Sequence, residues 1–141
     1  MTSETSIFST VLNKDNALCI INDSPLEVFN ILTEIRATGY DKKITFHYGV
    51  WEALLHYSNR HEAYQPNPEI IAIDFVMPEF NAIDFLETLE TIKSDKQPQP
   101  KIIVYNCNKS PKVISKLADF PQVIHITQKV FSIKVLQKLI L

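Results

Sequence analysis

Short, uninterrupted apolar runs are the clearest pattern along the chain. The two strongest span residues 17–21 and 70–73, and polar residues stop them abruptly, Asn22 and Asp23 after the first and Asp74 after the second. Because successive side chains of a strand point to opposite faces, an unbroken apolar run predicts a central strand covered on both sides. Weaker runs predict three more strands, at 43–48, 101–105 and 123–126.

Apolar residues at helical spacing follow each predicted strand. After the first strand, Ser24, Pro25 and Glu27 have the pattern of a capping box with proline in the first turn, and Gly39 predicts the end of that helix. The remaining helices are predicted at 50–57, from 82 to about 94, at 110–117 and at 132–141.

Five strands that alternate with five helices predict an α/β fold, a doubly wound parallel sheet with helices on both faces. Right-handed crossovers leave few possible strand orders, and we expect the order 2-1-3-4-5. Strands one and three are neighbours in that order. Asp23 and Asp74 then emerge side by side at the carboxyl edge of the sheet, where ligands of such sheets bind.

Two neighbouring carboxylates at this edge need a compensating cation. At about 4 Å, two negative charges repel each other by roughly 4 kcal/mol at an effective dielectric constant of about 20. The sequence offers Lys129, which follows the fifth predicted strand and so reaches the same edge. A bound metal ion is the other way to balance the charge, and the sequence pattern is therefore typical of a binding or catalytic site.

Length and composition narrow the classes of protein. The 141 residues suit a single domain at 16–141, preceded by a polar lead-in at 1–15. Because 14 basic and 16 acidic residues leave a net charge of −2 with no basic block, we expect no nucleic-acid partner. No apolar run is long enough to span a membrane, so we expect a cytoplasmic protein. We expect Cys19 and Cys107 to be buried small apolar residues rather than a metal site or a disulfide.

The segment that begins at Asp74 resembles the phosphoacceptor segment of bacterial response-regulator receiver domains. In that family an Asp is followed three and four residues later by Met-Pro and then by a helix that opens Gly-x-x-Phe-Leu; here Met77 and Pro78 match, and Ala82 replaces the Gly. The segment from Lys129 to Phe131 is similar to the Lys-Pro-Phe of the same family. The resemblance covers about residues 16–141 and implies a flavodoxin-like receiver fold.

The resemblance also implies roles for individual residues. Asp74 is the phosphoacceptor, Lys129 contacts the phosphoryl group, and Mg²⁺ is bound by Asp23, Asp74 and the backbone carbonyl of Val76. The donor is a histidine kinase or a histidine phosphotransfer protein. The domain catalyses only its own phosphorylation and dephosphorylation, so we do not expect an enzyme in the usual sense. With no output domain after the last helix, we expect a single-domain response regulator of a two-component phosphorelay that signals by docking to another protein.

Four positions depart from the family pattern. Asn22 replaces an acid that acts on the metal mainly through water, and we expect Mg²⁺ to bind more weakly by about 1 to 3 kcal/mol. Asn106 stands at the switch position in place of Ser or Thr and still offers an N–H donor. Ile126 replaces an aromatic residue. Val130 replaces a proline whose preceding bond is cis in the family, and we expect a trans bond and a less firmly held Lys129.

Three other interpretations remain to be compared with a phosphorylated response regulator. A pseudo-receiver would keep the fold, ignore phosphate and act as a phosphorylation-independent interaction module. A flavin carrier would share the strand order but needs a Gly-, Ser- and Thr-rich loop after the first strand, which is missing from this sequence. A haloacid-dehalogenase-like phosphatase needs a second acid two residues after the nucleophile, where this chain has Val76.

Overall fold

Five parallel strands form a single sheet in the computed structural model of the chain. They are β1 (Leu18–Ile21), β2 (Ile44–His47), β3 (Ile70–Asp74), β4 (Lys101–Tyr105) and β5 (Val123–Ile126). The order across the sheet is β2-β1-β3-β4-β5. Both the parallel arrangement and the order 2-1-3-4-5 predicted from the sequence are confirmed.

The structure describes residues 18–40, 43–58, 67–77, 80–92 and 99–131, together with 134, 136 and 137. The predicted lead-in and Pro78 lie outside these residues. The predicted last helix lies mostly outside them as well, although Lys134, Leu136 and Gln137 are helical. The helices described in full are α1 (Pro25–Arg36), α2 (Val50–Ser58), α3 (Ala82–Ile92) and α4 (Pro111–Ala118).

The buried core divides into one layer on each face of the sheet. On one face α2, α3 and α4 pack against alternate residues of the central strands, with Phe85 and Leu117 fully buried. On the other face lie α1, Phe131 and Leu136. All residues of β1 and β3 are buried, as expected for strands covered on both sides. The unbroken apolar runs therefore mark the centre of the molecule.

The predicted capping box at the start of α1 is only half formed. The Ser24 hydroxyl accepts a hydrogen bond from the Glu27 backbone N–H at 3.3 Å, as a capping residue should. The Ser24 backbone N–H, however, donates to the amide oxygen of Asn22 at 2.8 Å. The Ser24 N–H therefore does not need the Glu27 carboxylate as its acceptor, and that carboxylate has another partner.

Strand register determines which residues meet at the carboxyl edge of the sheet. Ile21 pairs with Ile73, and Asp74 pairs with Tyr105. Asn22, the next residue after Ile21, is thus brought beside Asp74. At the far end of α1, Gly39 adopts a φ of 88°, a left-handed conformation that glycine reaches at little cost. Within the described part of the chain, no helix combines the length and apolar character required to cross a membrane.

Candidate functional site

Asp74 is the buried centre of the candidate site. It is the last residue of β3 and only 4% exposed. Its Oδ1 accepts a hydrogen bond from the backbone N–H of Val76 at 3.0 Å. This bond turns the carboxylate toward the loop that follows β3, at the edge where ligands of parallel α/β sheets bind.

The surroundings of Asp74 raise its pKa to about 6, from an ordinary value of 3.8. Burial is the largest cause, because a carboxylate removed from water loses solvation. Hydrogen bonds from the Val76 N–H and the Asn106 side chain lower the pKa in part, while the charges of Glu27 and Asp23 raise it. Asp74 is therefore still mostly ionised at neutral pH, in a pocket of negative potential.

Asn22 is held by two hydrogen bonds and is fully buried. Its Nδ2 donates to the hydroxyl of Tyr105 at 2.8 Å, and its Oδ1 accepts from the Ser24 N–H at 2.8 Å. The Tyr105 ring packs against Phe131, with centroids 5.7 Å apart. Asn22 thus links β1, β4 and α1, whereas its neighbour Asp23 is exposed and acts on Asp74 only through its charge. An effect of Asn22 on a metal stays a prediction.

Asn106 joins a third carboxylate to the site. It follows β4 with a φ of 56°, and its backbone N–H donates to the Lys129 carbonyl at 2.9 Å. Its Nδ2 donates to Oε1 of Glu27 at 2.9 Å, and donation from its side chain also lowers the pKa of Asp74. The sequence pattern around Glu27 indicates only a capping residue. One feature of the sequence could have indicated that Glu27 lies at the site. It follows Asp23 by one helical turn, in a helix that begins at the site edge.

Lys129 reaches the site edge through its backbone rather than its ammonium group. The side chain is exposed, and no ion pair joins it to Asp74, both residues being described in full. Its N–H donates to the Thr127 hydroxyl at 3.1 Å. None of the peptide bonds in the described part of the chain is cis, so the bond between Lys129 and Val130 is trans, as expected. The phosphoryl contact of Lys129 stays a prediction.

Two further residues complete the edge. Lys109, which the sequence analysis did not consider, places its Nζ 5.7 Å from the ring centroid of Phe75, the residue after Asp74. Ile126 is half-buried at the end of β5 and packs against the core layer that contains α4. No aromatic side chain therefore occupies that position to move behind Asn106.

The ligand set at Asp74 fits a small, hard cation. In the described part of the chain, no group of three or more His, Cys, Asp or Glu side chains is close enough to hold a metal. Mg²⁺ needs fewer side chains, because it keeps several of its waters and prefers oxygen ligands. Asp23, Asp74 and the Val76 carbonyl supply only oxygen, and the raised pKa of Asp74 reflects in part a local excess of negative charge.

Comparisons with known proteins agree with this geometry at the level of the fold. No protein-family model matches the chain, and no curated protein sequence matches it either. Solved structures, however, do match the chain. A two-component response regulator from Cytophaga hutchinsonii is 20% identical, with a TM-score of 0.76 over 89% of this chain and 94% of that one.

Two other solved structures extend the comparison. The receiver domain of the histidine kinase CKI1 from Arabidopsis thaliana, complexed with Mg²⁺ and BeF₃⁻, has a TM-score of 0.72 and 12% identity over 96% of this chain and 94% of that one. The chemotaxis protein CheY4 from Vibrio cholerae has a TM-score of 0.64 and 15% identity over 88% and 94%. The chain has the receiver-domain fold, which confirms the predicted fold class.

Proposed function

We propose that this protein is a response regulator that accepts a phosphoryl group on Asp74. The observation that carries the proposal is the placement of Asp74. A carboxylate that is 4% exposed lies at the carboxyl end of the central strand, beside the charges of Asp23 and Glu27. A structural role would not require a buried carboxylate beside two others, since their repulsion costs stability.

The chemistry is a phosphoryl transfer from nitrogen to oxygen. One carboxylate oxygen of Asp74 attacks the phosphorus of a phosphohistidine in line with the P–N bond. A P–O bond forms, giving an acyl phosphate, and the P–N bond breaks, with its electron pair remaining on the imidazole of the donor. Most of the catalysis in such a transfer comes from positioning and from neutralising charge.

The residues around Asp74 are suited to positioning. The Val76 N–H holds one carboxylate oxygen, Oδ1, at 3.0 Å, and we assign the attack on phosphorus to the other oxygen. The Asn106 amide is an N–H donor for a phosphoryl oxygen, in the place of the hydroxyl in the family pattern. Lys129 would need to turn its exposed side chain toward the phosphoryl group.

Asp23, Asp74 and the Val76 carbonyl are the residues we assign to Mg²⁺. When bound, the ion neutralises the negative charge that the carboxylates and the phosphoryl group bring together. The Mg²⁺ complex of the CKI1 receiver domain supports Mg²⁺ as the ion. The partners that follow from the proposal are a histidine kinase or histidine phosphotransfer protein as donor, and a protein that docks to the phosphorylated domain.

Phosphorylation by small donors tests the proposal. The protein is incubated with Mg²⁺ and either acetyl phosphate or phosphoramidate, and its intact mass is measured. We expect the wild type to gain one phosphoryl group and Asp74→Asn to gain none. Asp119→Asn is the matched control, because Asp119 follows α4 at the opposite edge of the sheet and is exposed; it should be phosphorylated like the wild type.

The result also separates the two candidate functions. If neither the wild type nor Asp119→Asn gains mass while both remain folded, the protein is a pseudo-receiver and the proposal is wrong. Gain of mass by Asp74→Asn would instead place the phosphoryl group on another residue.

A further inference from the structure

Glu27 is an acidic residue at the site that helix capping does not explain. Its backbone N–H completes the cap of α1, but its carboxylate does not return to Ser24. It accepts a hydrogen bond from Nδ2 of Asn106 at 2.9 Å, across 79 residues of sequence. There its charge repels that of Asp74. An acid in this position costs electrostatic energy, which points to a role that offsets the cost.

That role concerns the two different ends of the Asn106 amide. An Asn side chain has an oxygen that accepts and a nitrogen that donates, and the two ends can exchange by a half-turn. The oxygen would repel both the Asp74 carboxylate and an incoming phosphoryl group. A Ser or Thr hydroxyl at this position has no such problem, since it can rotate to donate wherever an acceptor lies.

We infer that Glu27 is a positioning residue that fixes the Asn106 amide with its nitrogen toward Asp74. The Glu27 carboxylate only accepts hydrogen bonds, so the amide end beside it must be the donor. The NH₂ group has two hydrogens, and donation from the Asn106 side chain also lowers the pKa of Asp74, so the same nitrogen faces both carboxylates. The backbone of Asn106 is independently anchored at the Lys129 carbonyl. This inference rests on the proposed role of Asp74 as phosphoacceptor.

Two neutral substitutions separate orientation from charge. Glu27→Gln removes the charge and can still present its side-chain oxygen to Nδ2 of Asn106, whereas Glu27→Ala removes both the charge and the acceptor. In the unphosphorylated protein, we expect the side-chain NH₂ protons of Asn106 to stay protected from exchange with water in Glu27→Gln and to lose protection in Glu27→Ala. Glu34→Ala, at an exposed position of the same helix, is the control. Asn106→Thr identifies the NH₂ signals, because it abolishes them.

Phosphorylation by acetyl phosphate gives the second readout. We expect Glu27→Ala to react about tenfold more slowly than Glu27→Gln, the scale of one hydrogen bond to a charged group. In the Asn106→Thr background, Glu27→Ala and Glu27→Gln should react at equal rates, because a hydroxyl needs no orienting partner. A double-mutant cycle of this kind isolates the contribution that Glu27 makes through Asn106.

Clear outcomes would overturn the inference. NH₂ protection in Glu27→Ala as high as in the wild type would show that the amide is fixed without Glu27. Equal rates in the wild-type background, or a tenfold difference that persists in the Asn106→Thr background, would show that Glu27 does not act through Asn106. If the wild type gains no phosphoryl group at all, the proposed function fails, and the NH₂ protection alone decides whether Glu27 orients Asn106.

Discussion

Asn22 illustrates how one amide in place of an acid changes the hydrogen bonding of a site. A carboxylate has no N–H, so it could not donate to the Tyr105 hydroxyl as Nδ2 of Asn22 does. The sequence predicted a polar residue next to the carboxylates that we assign to Mg²⁺. It could not predict that Asn22 would be fully buried with both ends of its amide bonded, because Tyr105 is 83 residues away.

Restoring an acid at this position should strengthen Mg²⁺ binding. We expect Asn22→Asp to raise the affinity by about 1 to 3 kcal/mol, because a further negative charge then lies close to the ion. The Tyr105 hydroxyl can donate to the new carboxylate, so the fold should tolerate the change. Isothermal titration measures the affinity.

The control for this change is Tyr105→Phe. It removes the hydroxyl partner of Asn22 but keeps the ring that packs against Phe131, so Mg²⁺ affinity should stay close to that of the wild type. An unchanged affinity in Asn22→Asp would show that residue 22 is too far from the ion to affect it.

The raised pKa of Asp74 predicts how stability depends on pH without divalent ions. Since the folded-state pKa is about 6 against 3.8 ordinarily, folding favours the protonated form. The loss of folding stability caused by ionised Asp74 is absent below about pH 4, grows as the pH rises from about 4 to 6, and is constant at higher pH. Asp74→Asn, which is always neutral, should be more stable than the wild type by about 1 to 3 kcal/mol near pH 7.5.

Urea unfolding at several pH values, in the presence of EDTA, measures this difference. The advantage of Asp74→Asn over the wild type should shrink toward about pH 4. A constant advantage of Asp74→Asn at all pH values would mean that packing, and not ionisation, causes it.

At the scale of elements, the loop after β5 departs most from the family pattern. Its backbone is tied to the site, since the Lys129 carbonyl accepts from the Asn106 N–H at 2.9 Å. The side chains of Lys129 and Val130 are not held at the site, because both are exposed. The sequence indicated a lysine at this edge but not its direction, which depends on the loop backbone around Val130.

Proline at position 130 should bring the lysine closer to its expected role. The energy difference between cis and trans before proline is only about 0.5 to 1 kcal/mol, against about 2.5 to 4 before other residues. We therefore expect Val130→Pro to speed phosphorylation by acetyl phosphate or to lengthen the lifetime of the phosphorylated form. Val130→Ala is the control for loss of the exposed side chain, and equal behaviour of the two variants would contradict the prediction.

Across the whole molecule, the sequence predicted the sheet better than the site. Unbroken apolar runs determine β1, β3 and β4 because burial on both faces permits little else. The residues after these strands meet at one edge of the sheet, so strand order predicted Asp23 and Asp74 as neighbours, whereas Asn106 was indicated only by the family resemblance. The contact between Glu27 and Asn106 could not, because it depends on a cap in which Asn22 takes the place of the Glu27 carboxylate.

The two cysteines report on the integrity of this core. Neither Cys19 nor Cys107 forms a disulfide, both are fully buried, and burial raises the pKa of the Cys107 thiol. Because the thiolate is the reactive form, we expect labelling by a thiol reagent to require unfolding. The labelling rate should rise with urea in parallel with loss of circular dichroism. Rapid labelling of folded protein would show that the core opens locally.

The central claim is that Asp74 itself becomes the acyl phosphate. The most direct measurement treats the phosphorylated protein with borohydride, which reduces an aspartyl phosphate to homoserine, and locates the homoserine by peptide mass spectrometry. We predict homoserine at position 74 alone, dependent on Mg²⁺ and absent from Asp74→Asn. Reduction at Asp23 or Glu27 instead, or no reduced residue at all after treatment with phosphate donors and Mg²⁺, would contradict the account.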